Sequence, residues 1–149
     1  MRELSVDGKY SVDSDLYKKI SDLFDAGYCD DNATKATINE IFKKYDYLCD
    51  THTAVAVNVY EEYTKRTGDD TPTVIASTAN PYKFSASVLS AITDDIKSED
   101  EFSMVEELFE KSKEPVPPQL ATLKGKAPRF TRVSDKEDMA QVVFDMLGI

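Results

Sequence analysis

Thr73-Val74-Ile75-Ala76-Ser77-Thr78-Ala79-Asn80-Pro81-Tyr82-Lys83-Phe84 is the stretch on which the reading of the fold turns. Its first six residues are short, apolar and mostly β-branched, the pattern of a strand covered on both faces. Asn80-Pro81 ends such a strand, and Tyr82 to Ile92 returns to a helical spacing of apolar residues. A lone buried strand leaves its own N–H and C=O groups unpaired, so it demands neighbours. The other candidate, Arg129-Phe130-Thr131-Arg132-Val133, is short and too little on its own. The expected fold is therefore α/β but helix-rich, with few strands and about six helices. The shortage of strand partners points to a region of something larger.

Working outward, Ser14 is placed to cap a helix in which Leu16, Ile20, Leu23 and Phe24 share one face, and Ala26-Gly27 stops it. The polar turn Cys29-Asp30-Asp31-Asn32 supplies a cap for a second helix, with Thr34, Ile38, Ile41, Phe42 and Tyr45 as its buried stripe. A third helix starts near Asp50. Its first half is nearly all apolar and its second half charged, so its N-terminal end is expected to lie deep and its C-terminal end to reach water. Gly68-Asp69-Asp70-Thr71-Pro72 breaks it. Ser98-Glu99-Asp100-Glu101 and Ser134-Asp135-Lys136-Glu137 both read as capping boxes ahead of apolar helical periods. Between those two helices Glu114-Pro115-Val116-Pro117-Pro118 forms a bend. There is no internal repeat and no low-complexity tract.

Composition narrows the function classes. A chain of 149 residues has the size of one domain, and one of this length buries about 70% of its unfolded surface. With 41% hydrophobic residues it has the material for a core, so wholesale disorder is not expected. A net charge of −10 argues against nucleic acid as a partner, since phosphate binding needs clustered Lys and Arg. No run approaches the roughly 18 apolar residues of a membrane span, and Met1-Arg2-Glu3-Leu4 begins no secretory signal. Cys29 and Cys49 lack CxxC spacing and read as reduced thiols of a cytoplasmic protein. A zinc site would require both of them, His52 and a carboxylate to converge, so no metal is expected.

Three segments carry a family likeness. Gly27-Tyr28-Cys29-Asp30-Asp31 is similar to a G-x-x-D-D pattern ahead of a helix, and Asp50-Thr51-His52-Thr53-Ala54-Val55-Ala56 to D-P-H-T-A-V-A. Ser77-Thr78-Ala79-Asn80-Pro81-Tyr82-Lys83-Phe84 is similar to S-T-A-x-P-x-K-F. In that order and separation they resemble threonine synthase of the longer microbial and fungal type. The resemblance runs from about Gly8 to the C-terminus and is strongest over residues 24–93; Thr51 departs from the family's proline. It implies the C-terminal portion of a fold-type-II pyridoxal-phosphate enzyme large domain, with residues 1–149 as a single C-terminal region of a longer lyase. That lyase converts O-phosphohomoserine and water to threonine and phosphate. In the family a Ser or Thr at the end of a late strand hydrogen-bonds the cofactor's pyridine nitrogen, and the matching residue is Thr78. A hydroxyl suits a neutral ring nitrogen, whereas a carboxylate would keep it protonated. The plainer reading of Thr78 is a cap for the following helix.

The remaining candidates carry less. His52 has the titration range of a general acid or base, but a histidine at a helix start is as readily a structural partner. Lys83 precedes Phe84 and does not match the Phe-Lys-Asp type motif that holds the family's Schiff-base lysine, so no catalytic residue is expected in this chain. Five glycines, none clustered, provide no phosphate loop. Asp69-Asp70 and Asp94-Asp95 read as solvated turns. Pyridoxal phosphate is thus expected in the whole enzyme but not on this chain alone, whose main partner would be the rest of the synthase. The competing reading is a non-catalytic α-helical interaction or regulatory module. The two differ in one respect: a self-contained module should cover residues 74–76, and a region of a larger enzyme should leave them bare.

Overall fold

Aspartates start most of the longer helices. The computed structural model describes residues 2–149, in which a short α1 (Arg2–Asp7) precedes α2 (Ser14–Ser21). The cap of α2 is Asp13, one residue before the expected Ser14, and its carboxylate accepts from the Leu16 N–H at 2.8 Å. Asp30 caps α3 (Asp31–Tyr45) and Asp50 caps α4 (Thr51–Thr67), as the sequence led one to expect. A 3-10 turn (Pro81–Phe84) leads into α5 (Ser85–Ile92), and Asp100 opens α6 (Glu101–Ser112).

These elements belong to a compact unit that ends at Val116. Helix α3 packs on α4 and on α5, and α5 packs on α6. The core is Ile38, Leu48, Cys49, Ala54, Val88, Leu89 and Leu108, each at most 4% exposed. In α3 the expected stripe holds at Thr34, Ile38 and Ile41, while Tyr45 is 65% exposed at the last turn. Asp46 then takes a left-handed conformation (φ 53°) and turns the chain toward α4. Helix α4 is buried at Thr53 and Ala54 and exposed at Lys65, Arg66 and Thr67, the expected gradient. The stripe expected for the helix at Ser14 is not buried: Leu16, Ile20, Leu23 and Phe24 are all exposed.

The helix-rich architecture is present, and the strands are not. Among the described residues there is no β-strand. Residues 73–78 run without helix, turn or ladder, and Val74 is 95% exposed. The β-branched run has the composition of a strand, but a strand exists only when a neighbour pairs with it, and no described segment does so. Arg129–Val133 likewise forms no strand, and Val133 is exposed.

Neither capping box forms. Asp100, not Ser98, receives the Phe102 and Ser103 N–H groups at 3.0 and 3.1 Å. Ser98 instead joins Lys97 in binding the buried Glu107: the Ser98 hydroxyl donates to it at 2.7 Å, and both backbone N–H groups also donate. Those bonds, the Ser98 hydroxyl first, hold the Glu107 carboxyl below its usual range. The second unit, Pro117–Ile149, contains α7 (Pro118–Ala121), a 3-10 turn (Lys136–Asp138) and α8 (Met139–Leu147). Asp135 precedes that turn without a side-chain cap bond, so the Ser134 box is not made either. Arg132 pairs with Asp145 at 2.8 Å, and no residue of this unit is buried.

Candidate functional site

Asp50 is the centre of the best-organised polar cluster. Its side chain is fully buried, which few ionised carboxylates tolerate without partners. The partners are present. The His52 and Thr53 N–H groups donate to Oδ1 at 2.9 and 3.4 Å, His52 Nδ1 lies 3.2 Å from the same oxygen, and the Thr53 hydroxyl donates a short bond to Oδ2. Burial pushes the Asp50 pKa up, and these hydrogen bonds, Thr53 foremost, outweigh it and hold the carboxyl below its ordinary value. The same charge, added to burial, raises the neighbouring Cys49 thiol to about 11.

From Asp50 a chain of hydroxyls reaches the 73–84 stretch. Thr53 Oγ1 and Ser77 Oγ are hydrogen-bonded at 2.9 Å, and the Tyr47 phenol donates to Ser77 Oγ at 3.4 Å. A hydroxyl has one proton, and Thr53 spends its proton on the carboxylate, so Ser77 is the donor between the two. Ser77 is thereby tied to the start of α4. Three residues on, Asn80 caps the 3-10 turn by accepting from the Tyr82 N–H at 3.0 Å, and the buried Tyr82 phenol donates to the Glu114 carbonyl. Both ends of the loop 77–82 are therefore anchored.

Thr78 lies on that loop. It is exposed, and its hydroxyl has no hydrogen-bond partner among the described residues. It is neither in a helix nor a helix cap, because the capping role belongs to Asn80. Its expected place at the end of a buried strand is not realised. His52 is two-thirds exposed, and its ring packs against Phe84 at 5.0 Å between centroids. An ionised carboxylate only accepts, so in this contact Nδ1 is the donor. His52 also lines a cleft of about 470 Å³ with Cys29, Thr34, Lys35 and Phe84. Lys83 is exposed on the 3-10 turn, and Thr78 and His52 are not brought together with it in this cleft. No group of His, Cys, Asp and Glu among the described residues is arranged to hold a metal. No described helix is long and apolar enough to cross a membrane.

Sequence reasoning singled out Thr78 and His52 but missed Thr53 and Ser77, the residues that anchor the turn. The available signal was Asp50 at a helix start followed by a hydroxyl three residues on, an arrangement that places the hydroxyl beside the capping carboxylate.

Comparison with known proteins gives a consistent picture. Residues 53–143 match the family model described as "Threonine synthase, C-terminal". Threonine synthase of Pseudomonas aeruginosa is 34% identical over 84 residues, which are 56% of this chain and 18% of that protein. Threonine synthase-like 1 of Homo sapiens is 30% identical over 83 residues, again 56% of this chain but 11% of the relative. The matched stretch thus spans under a fifth of the length of these relatives. No solved structure matches the chain.

Proposed function

Since the chain belongs to the threonine synthase C-terminal family, we propose that it forms one wall of a pyridoxal-phosphate site in a lyase acting on O-phosphohomoserine, with Thr78 as its cofactor contact. The observation that carries this reading is the free Thr78 hydroxyl on a loop anchored at Ser77 and Asn80. Thr78 keeps its hydrogen available, on a loop whose neighbours are held in place.

The residues present fit one part of the cofactor. Thr78 supplies a donor for a ring nitrogen, while the dispersed glycines offer no cradle for a phosphate. When bound, pyridoxal phosphate supplies an electron sink for the substrate's Cα. The contribution of this chain is positional. Asp50 orders Thr53, Thr53 and Tyr47 hold Ser77, and Ser77 fixes the backbone from which Thr78 projects. His52 is held by Asp50 through Nδ1, and its ring is two-thirds exposed. The reactive lysine and the phosphate contacts belong to the rest of the enzyme, in the cytoplasm. Exposure of Val74 supports this over a self-contained interaction module, which would bury the segment.

Thr78→Val in the complete enzyme tests the reading. The substitution keeps the branched shape and deletes the donor. A hydrogen bond of this kind is worth about 0.5–1.5 kcal/mol, so kcat should fall about 2- to 10-fold with the denaturation midpoint unchanged. Unchanged turnover would overturn the role of Thr78. The 149-residue chain itself, mixed with pyridoxal phosphate and reduced with borohydride, should give no stoichiometric lysine adduct.

A further inference from the structure

Two opposite charges stand unused in one cleft. Asp31 and Lys35 lie one turn apart on α3, at the i and i+4 positions from which an acid and a base can meet. They do not pair, and among the described residues neither side chain has another hydrogen-bond or ion-pair partner. Both line the cleft of about 470 Å³ beside His52. Small-molecule pockets run from about 300 to 1,000 Å³. The Thr34 hydroxyl donates to the Asp30 carbonyl at 2.7 Å, and Cys29 Sγ lies 3.3 Å from that hydroxyl, so these two close one wall on each other. The Ser87 hydroxyl, in the first turn of α5, also lines the cleft and has no partner among the described residues. The Phe84 ring, packed against His52, and Val55 give the cleft an apolar side.

An acid and a base that leave each other unpaired in one concave site suit a ligand that carries both charges. A simple anion would be repelled by Asp31, and a simple cation by Lys35. A zwitterion satisfies both. Its ammonium donates to the carboxylate, and its own carboxylate accepts from the lysine, each a charge-assisted hydrogen bond. The Ser87 hydroxyl is a further donor for that carboxylate.

We infer that this cleft binds a free, small α-amino acid. Asp31 takes the α-ammonium, Lys35 and Ser87 take the α-carboxylate, and Phe84 with Val55 covers the aliphatic part. Thr78 does not line the cleft, so recognition of the amino acid does not pass through it. The choice of amino acid rests on the proposed function, in which substrate and product are both small amino acids with an oxygen-bearing side chain.

The chain has a single histidine, so the imidazole signals of His52 report on the cleft without ambiguity. They are followed by NMR in the 149-residue chain as L-threonine or O-phospho-L-homoserine is added. Additions reach about 10 mM, where even millimolar affinity shows. At least one of the two should shift the signals saturably. Its N-acetyl and carboxamide derivatives each lack one charge, and each should bind about tenfold more weakly or worse. Asp31→Asn and Lys35→Gln should weaken the parent amino acid by a similar factor, with the helical circular dichroism unchanged. Tighter binding of O-phospho-L-homoserine identifies the substrate as the ligand, and tighter binding of L-threonine identifies the product. No saturable shift with either, derivatives that bind as well as the parent, or binding that survives both substitutions overturns the inference. The titration is read with no cofactor present, so this result and the turnover of Thr78→Val fail separately.

Discussion

Replacing Asp50 probes the cluster on which the site depends. In Asp50→Ala, α4 loses its cap, worth about 1 kcal/mol with a range of about 0.5–2. The Thr53 hydroxyl loses a charge-assisted bond, and such bonds are worth about 1.5–3 kcal/mol. The two losses overlap, so the expected destabilisation is about 2–4 kcal/mol. In Asp50→Asn the amide oxygen still caps the helix and only the charge is lost, so the cost should be about 1 kcal/mol. Urea denaturation followed by circular dichroism at 222 nm measures both, with the slope checked for constancy. The pH dependence follows from the depressed carboxyl. A group whose folded pKa is lowered stabilises fully above its unfolded value, and the gain is lost as pH falls through the folded value. The stability gap between the native protein and Asp50→Asn should therefore be constant from pH 7 down to about 5 and shrink below about 4. A gap that grows on acidification, or an Asp50→Ala variant within about 0.5 kcal/mol of native, would refute the reasoning.

Gly27→Ala should cost about 1–3 kcal/mol, because its Cβ would meet the β-branched Val59 side chain, which has little freedom to move; the same denaturation series checks it. Leu108→Ala should cost about 2–5 kcal/mol as a fully buried side chain, while Leu16→Ala on the exposed face of α2 should stay within about 1 kcal/mol. Iodoacetamide at pH 8 should label Cys29 well before Cys49, whose buried thiol is raised to about 11; peptide mapping of the modified chain decides. Glu107→Gln should loosen the loop before α6, seen as faster exchange of the Lys97 and Ser98 amides.

The helices were legible because their signals are local. Asp30 and Asp50 stand before apolar periods, and a cap acts within three residues of itself. The errors arose where the partner lay elsewhere. Ser98 has the spacing of a capping box, but Glu107 of α6 offers its hydroxyl a carboxylate, and Asp100 is the nearer cap. Thr73–Thr78 has the composition of a strand, yet composition fixes only what a segment would do beside a neighbour. The burial of helix faces also depends on what is opposite them: Ile38, on the helix that packs against α4 and α5, is fully buried, whereas Leu16 and Ile20, equally periodic, stay exposed. In the candidate site, the motif pointed to Thr78, whose role is the one proposed above. Ser77 and Thr53 were not, because a hydrogen bond across 24 residues leaves no trace in spacing.

Ser77 is the last hydrogen-bonded point of the exposed 72–77 segment and also the anchor of the loop that carries Thr78. It therefore acts as a fulcrum. Through the Ser77–Thr53 bond the loop that carries Thr78 is joined to the Asp50 carboxylate beside His52. Such a linkage is reciprocal, since free-energy coupling between two sites has the same value from either end. Steadying the loop would therefore steady the Asp50 cluster, and loosening Asp50 would loosen the loop.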